Sequence, residues 1–509
     1  MRLPIHRVPI YQTYSCHLLA IYLAAAMECD ENVCVFSRTS AGGADTRDTR
    51  RFFFSHIYKE SPLFAYFCRW EKKQLMTSKG SNKHILRWVL IVLLAIALWG
   101  VFAWVYFYGY FGGFTKLKPI DTEEFAKCAG DISDITIPDS VRIIGLGEAT
   151  HGNGEFQQLK LDVFKLMVEK YGVRAFALEG DYGGCEAVNR YIHGGPGTAQ
   201  KAAAAIGFPI YRTKEMAQLI DWMRNYNATA KEGEDLRFYG FDMQLYERSY
   251  QYLLEAAKTF AVPTVELEKL WNKSEGKYSA SFTADQKAKV IEKVKQTLLQ
   301  LNDPTTVQAV HFADMLLQNI AVGKVMDDGS KGIALRDSLM FVNTHWIMEQ
   351  EEARGNECIF ISGHNGHIER RHDYGTIGKA MGALLANELG KAYFAIGTDF
   401  YKATVSLPKG KSGKRRNHTF FSKDPLAEAA KKCGYETCWL DFSRIPDSTT
   451  LKHQITEYTW MGDVGEGYSP LMAIFPQAYR DWVSPTLLYD GVIFVTDTHP
   501  IAVLKETEQ

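Results

Sequence analysis

Hydrophobic positions first cluster without a break. From Trp88 to Tyr108 the chain reads WVLIVLLAIALWGVFAWVYFY, 21 residues without a charge, which as a helix at about 1.5 Å per residue spans about 30 Å of hydrocarbon. This predicts a single transmembrane helix, with Trp88, Trp99, Trp104, Tyr106, Tyr108 and Tyr110 as its aromatic belt. Beyond residue 137 the pattern alternates. Short β-rich runs fall at 141–146, 174–178, 236–241, 357–361, 392–396, 437–441 and 491–495. Between them lie helical patterns such as 156–170, with apolar residues at 156, 159, 163, 164 and 167 on one face. Such alternation predicts an α/β domain, a mostly parallel sheet with helices on both faces. Residues 245–352 read as helix after helix, too long for a loop, and predict a helical insertion that roofs the ligand end of the sheet and sets specificity. Within it Arg336 and Asp337 read as a helix-surface ion pair, with a pairing across the cleft as the alternative.

Charge divides the chain in the same places. Of the 58 Lys and Arg, 13 precede residue 116, and of the 59 Asp and Glu only 7 do, which leaves residues 116–509 at −7, with 45 basic against 52 acidic. Nothing in this balance supports nucleic-acid binding. The basic stretch 409–418 reads as a solvated loop. Lys72, Lys73, Lys79, Lys83 and Arg87 precede the apolar span, whereas only Lys116 and Lys118 follow closely. The positive-inside rule then places the large domain outside the cell membrane. Residues 1–75 show no fold; Met76 opens a short basic leader, and the reading is that Met76 is the working start and 1–75 an upstream extension. The rival is a signal peptide with its core at 17–26, which would invert the topology. On this reading 76–115 are leader and anchor, and 116–509 the catalytic domain. The cysteines are too sparse for a disulfide scaffold or a CxxC zinc pair, although Cys433 and Cys438 are close enough in sequence to bridge outside the cell.

Chemistry gathers where the strands end. VRIIGLG runs into Glu148 and His151, RAFAL into Glu179, LRFYGF into Asp242, and ECIFIS into Gly363-His364-Asn365-Gly366-His367. In an open α/β sheet the carboxyl edge is where ligands sit, so these groups should line one cleft. A carboxylate beside His151 fixes its tautomer and raises its basicity, which makes His151 the candidate general base with Glu148 and Glu179 as its supports. Lys160 and the backbone N–H groups after Gly152 are candidates to hold an oxyanion. Lys160, Glu155, Asp242 and His367 are the candidate substrate contacts, and His364 the candidate acid. The His364/His367 spacing serves a metal as readily as acid–base work. There is no GxSxG elbow and hence no sign of a serine triad.

GLGEATHGNGEF, AFALEG, LIDWMRNYN (219–227), YGFDMQ (239–244), ALRDSLMFVN (334–343) and IFISGHNGHI (359–368) together resemble the erythromycin esterase family, in order and over about residues 120–500. The resemblance implies hydrolysis of an ester or macrolactone by activated water, without a covalent nucleophile or cofactor. It also implies that His151 is the essential histidine, Glu148 and Glu179 its acids, and His364 the histidine of the HNGH segment. The family often carries arginine where Lys160 stands, and its resistance members are not typically membrane-anchored. The implied fold is also similar to that of haem- or iron-binding lipoproteins and metal-dependent membrane-anchored proteases. These supply the alternative readings: a metal-dependent hydrolase or a haem- or iron-binding protein.

Overall fold

A computed structural model describes residues 82–110, 117–270, 273–274, 277–278, 282–409, 414–473 and 475–504. The suggested extension 1–75, its start at Met76 and the rival signal peptide lie outside the described residues. The chain separates into two units. In the N-terminal one, helix α1 (Asn82–Tyr110) carries an apolar stretch, Arg87–Tyr106, of mean hydropathy 2.6 and with no part buried by protein. By length and composition it can cross a membrane or act as a signal sequence.

The other unit is built on a nine-stranded sheet. Its strands are β1 (Ala129–Gly130), β2 (Ile143–Glu148), β3 (Ala175–Asp181), β4 (Arg237–Asp242), β5 (Ile359–His364), β6 (Tyr393–Pro408), β7 (Arg415–Phe421), β8 (Thr437–Asp441) and β9 (Gly491–Thr498). The order is β1-β8-β9-β6-β2-β5-β3-β4, with β7 alongside β6. Six neighbours from β9 to β4 run parallel, and β1, β8 and β7 are antiparallel additions. This is the α/β architecture with a mostly parallel sheet that the alternation predicts. Consecutive side chains divide between two cores: Ile143, Ala177, Ile359 and Ile361 enter one, while Ile144, Phe176, Leu178 and Phe360 enter the other. A strand buried on both faces leaves no polar position, hence the unbroken apolar runs. Helix α2 (Gly154–Tyr171) fills the second core with Phe156, Leu159, Val163, Phe164 and Met167, the stripe read from sequence.

The insertion contributes α3 (Glu247–Thr259), α4 (Ala284–Gln300), α5 (Val307–Val325) and α6 (Ser330–Ala353), which pack Leu253, Ile291, Leu316 and Met340 into the first core. Its last two helices reach the carboxyl end of β4, where Asn343 Nδ2 donates to Phe241 O at 3.0 Å and Asn319 Nδ2 to Met243 O at 2.9 Å.

Two expectations change. The basic stretch is not all loop, because its second half is β7, paired residue by residue with the extended β6. There Arg415 ion-pairs with Glu466, and His418 stacks on Tyr468 with ring centroids 3.6 Å apart. An edge strand with solvent on one side tolerates such charges, which is why hydrophobic patterning missed it. Cys433 and Cys438 do not bridge: both are free, Cys438 buried in the sheet and Cys433 directed at Thr122 O.

Candidate active site

The loop after β2 is pinned before any chemistry is considered. Ala149 N donates to Thr398 Oγ1 at 2.8 Å, and Asn153 Nδ2 to Thr404 O at 2.8 Å, both acceptors on β6. Asn365, just past β5, bridges the same strand by donating to Thr398 O and accepting from Thr398 N. Two glycines make the approach possible. A Cβ on Gly147 would lie 2.2 Å from Asn365 Oδ1, and one on Gly152 would lie 2.3 Å from Ser406 O, so neither position has room for a side chain.

Glu148 ends β2 directly opposite His364 of β5. Its Oε1 lies 2.7 Å from His151 Nδ1. Its Oε2 accepts from Lys160 Nζ at 2.5 Å and from Gln157 Nε2 at 3.1 Å. Gln157 and Lys160 are three apart on α2 and so share the face turned to β2. Burial alone would push the Glu148 carboxyl up; the neighbouring Lys160 and His151 outweigh it and hold the group down at about 2. Glu148 is therefore an anion that fixes Nδ1 of His151 as a donor and leaves Nε2 to act. The Lys160 ammonium, fully buried, also lies 5.9 Å from the Tyr211 ring centre.

His364 faces His151, with ring centroids 4.7 Å apart. Its Nδ1 lies 3.4 Å from the Gly366 amide, a weak contact that a protonated ring gives up. Its Nε2 is sealed from water without a hydrogen bond of good geometry, yet stands 3.1 Å from Asp463 Oδ1. Burial opposes the charged ring, but Asp463 and then Glu179 prevail and raise it to about 9. His364 is thus a cation at neutral pH.

A third cluster lies under β3 and β4. Arg336, from α6, donates through Nη2 to Glu179 Oε1 at 2.7 Å and to Asp242 Oδ2 at 2.8 Å. The other Glu179 oxygen accepts the His364 amide at 2.8 Å. His367 Nδ1 lies 2.7 Å from Asp337 Oδ1, whose other oxygen accepts from Tyr374 OH at 2.7 Å. His367 Nε2 sits between Arg336 Nη1 at 3.2 Å and Glu179 Oε1 at 3.3 Å. Burial disfavours the imidazolium, but Glu179 and Asp337 on either side raise it to about 10, so Nε2 is best assigned as a donor to Glu179. Burial likewise opposes the Glu179 anion, which His367, Arg336 and His151 together hold well below the usual range.

Of the residues singled out in the sequence, Glu148, His151, Glu179, Asp242, His364 and His367 do converge on the sheet's carboxyl edge, and Lys160 lies behind them. The expected roles of some need correction. Lys160 supports Glu148 from a position closed to solvent, so it is not placed to grip an oxyanion. The Gly152 and Gly154 amides are already committed, to Thr150 Oγ1 and His499 O. Glu155 turns to His499, with its Oε1 2.6 Å from Nδ1, at an exposed rim rather than towards the histidines. Arg336 and Asp337 do not pair with each other on a helix surface; both are inside, one on Glu179 and Asp242, the other on His367. Asp463, Gln157 and Tyr374 went unread. Asp463 sits in the loop MGDVGEG, which carries no periodic signal. Among the described residues no three His, Cys, Asp or Glu side chains converge as a metal site would need; the donors are committed to one another and to Lys160 and Arg336.

The erythromycin esterase family model matches residues 168–498. An erythromycin esterase type II of Escherichia coli is 23% identical over 349 residues, which are 60% of this chain and 82% of that protein. Among solved structures, a Bacillus cereus protein superposes with a TM-score of 0.61 at 22% identity, over 76% of this chain and 100% of its own. A mutant of the erythromycin esterase EreC in its open conformation gives 0.52 at 16% identity, over 72% of this chain and 93% of its own. Those two structures establish the fold.

Proposed function

Because the chain belongs to the erythromycin esterase family, we propose that this hydrolase cleaves a carboxylic ester or lactone, macrolactones among them, with water activated by His151. The observation that carries the reading is the pair of histidines with ring centroids 4.7 Å apart, each with its own carboxylate. One ring is held as a base by an anion at Nδ1, and the other is held as a cation. A base and an acid at this distance suit a reaction that takes a proton from water on one side and gives one to the leaving group on the other. His151 Nε2 removes the water proton as the oxygen attacks the carbonyl carbon. Glu148 and Glu179 stabilise the imidazolium that forms, and His364 protonates the departing alkoxide. No side-chain nucleophile is involved, so no acyl-enzyme should accumulate.

A panel of aryl esters, alkyl esters and lactones tests the reading. Turnover without a trapped intermediate on rapid quench is the expected result. A covalent adduct, or activity lost to a chelator and restored by a divalent metal, overturns it. The charge on His364 adds a pH prediction. Activity on alkyl esters should fall as pH rises through about 9, since the proton that His364 must give is lost there. A rate that stays flat to pH 10, a full unit above that value, counts against His364 as the acid.

The helix α1 is read as a single-pass anchor in the cell membrane, with the basic flank inside and the catalytic domain outside. A chain beginning near Lys116 is then expected to be soluble, folded and active. Recovery only as inclusion bodies, when the full-length protein folds in detergent, would show that boundary to be wrong.

A further inference from the structure

We propose that Asp463 is the positioning carboxylate of His364. The inference rests on the ester-hydrolase reading and extends it to a residue outside the strand-end motifs.

The geometry starts from His364 Nε2. A buried ring nitrogen with no partner in line is costly unless something compensates it, and here Asp463 Oδ1 does so at 3.1 Å, off the line of the N–H. The carboxylate thus supports the charge on the ring without holding the N–H in a linear hydrogen bond. Asp463 is held for this purpose at three consecutive residues: Gly462 N donates to Asp399 Oδ1 at 3.1 Å, Asp463 N to Tyr479 O at 3.0 Å, and Val464 N to Ala149 O at 2.8 Å. The last bond ties it to the loop that carries His151, so the two histidine–carboxylate pairs are parts of one rigid frame.

Behind Asp463 stands Asp481, on a two-stranded ribbon (Thr459–Gly462 with Arg480–Val483) in which Asp481 faces Met461. The Asp481 carboxyl is a neighbour of Asp463. Asp463 itself stays ionised: burial opposes this, but His364, the Asp481 hydrogen bond and His372 hold it down. His372, 2.8 Å from Glu369 Oε1, completes the charged surroundings, and Tyr489 OH caps the other Glu369 oxygen at 3.2 Å. Those facing His364 are Asp463, Glu179, His367 and His151.

The proton balance closes. Water gives one proton to His151 and its oxygen to the carbonyl carbon; the C–O bond to the alcohol breaks and His364 supplies the proton to the alkoxide. His151 then releases its proton to solvent. Solvent returns a proton to His364, whose charge Asp463 supports. The carboxylic acid product ionises separately.

Two measurements on the full-length protein in detergent test this. The first is the titration of His364 by NMR of histidine-labelled protein, which needs no substrate. In Asp463→Asn its midpoint is expected to fall by at least about one pH unit, and Asp463→Glu is expected to restore most of the shift. An unchanged midpoint in Asp463→Asn, with the other histidine resonances in place, overturns the proposal. The second is kinetic. A general acid matters most when the leaving group is a poor one, so Asp463→Asn should cost about tenfold or more on an alkyl ester beyond its cost on a nitrophenyl ester. Equal losses on both esters overturn the proposal. If the midpoint falls but no ester of any class is turned over, the ester-hydrolase reading fails while the pairing of Asp463 with His364 stands.

Discussion

His151→Ala is expected to lower kcat on any ester that the protein turns over by about 10²–10⁴-fold, the usual contribution of a positioned general base, without unfolding the domain. The second half of that expectation follows from the hydrogen bonds around Glu148. Removing His151 takes one partner from Glu148 Oε1, but Lys160 and Gln157 still hold Oε2, so the buried carboxylate keeps a countercharge. The contrast is Glu148→Gln, which would leave the Lys160 ammonium fully buried without its anion. That variant should lose stability as well as rate. A kcat for His151→Ala within tenfold of the parent, measured on folded protein, would remove His151 from the mechanism.

How much of this was legible in the sequence depends on what burial does to a pattern. The strands could be read because each is covered on both faces, so that apolar runs stop where a polar cluster starts, and the topology then brings four of those stops together. β5 inserts between β2 and β3, which sets His364 opposite Glu148, a neighbourhood that sequence order cannot show. Lys160 was misread as an oxyanion contact because its place on the helix after the loop does not tell which way its ammonium turns. Here its ammonium is drawn in by a carboxylate that closes the strand before it. Asp463 was invisible for a different reason: its position is set by backbone bonds to distant loops, and loop backbone carries no periodicity. Arg336 and Asp337 show the limit most clearly. Adjacent opposite charges on a helix look like a surface pair, whereas the insertion carries them to the sheet, where each finds a buried partner on another element.

The largest stability effect is expected from Arg336. Its guanidinium bridges Glu179 and Asp242, Asp242 is fully buried, and the Arg336 side chain is only 13% exposed. Met in its place keeps most of the volume but leaves two carboxylates short of their countercharge, and breaking a buried pair in this way costs about 3–5 kcal/mol. The loss should appear as a fall in Tm of several degrees for a domain of this size. It should also depend on pH in a definite direction. Glu179 is held well below its ordinary value partly by Arg336, after His367, so the parent gains stability from it at neutral pH and loses that gain as pH falls through the carboxylate range. Arg336→Met lacks that part of the gain, and the Tm difference between the two proteins should therefore narrow on acidification. Asp242→Asn, added to Arg336→Met, removes one of the orphaned charges and should recover part of the loss, a non-additivity that a pair merely sharing a surface would not give. Equal Tm values for the parent and Arg336→Met at neutral pH would mean that the cluster is not a stabilising network and that its charges are screened by solvent.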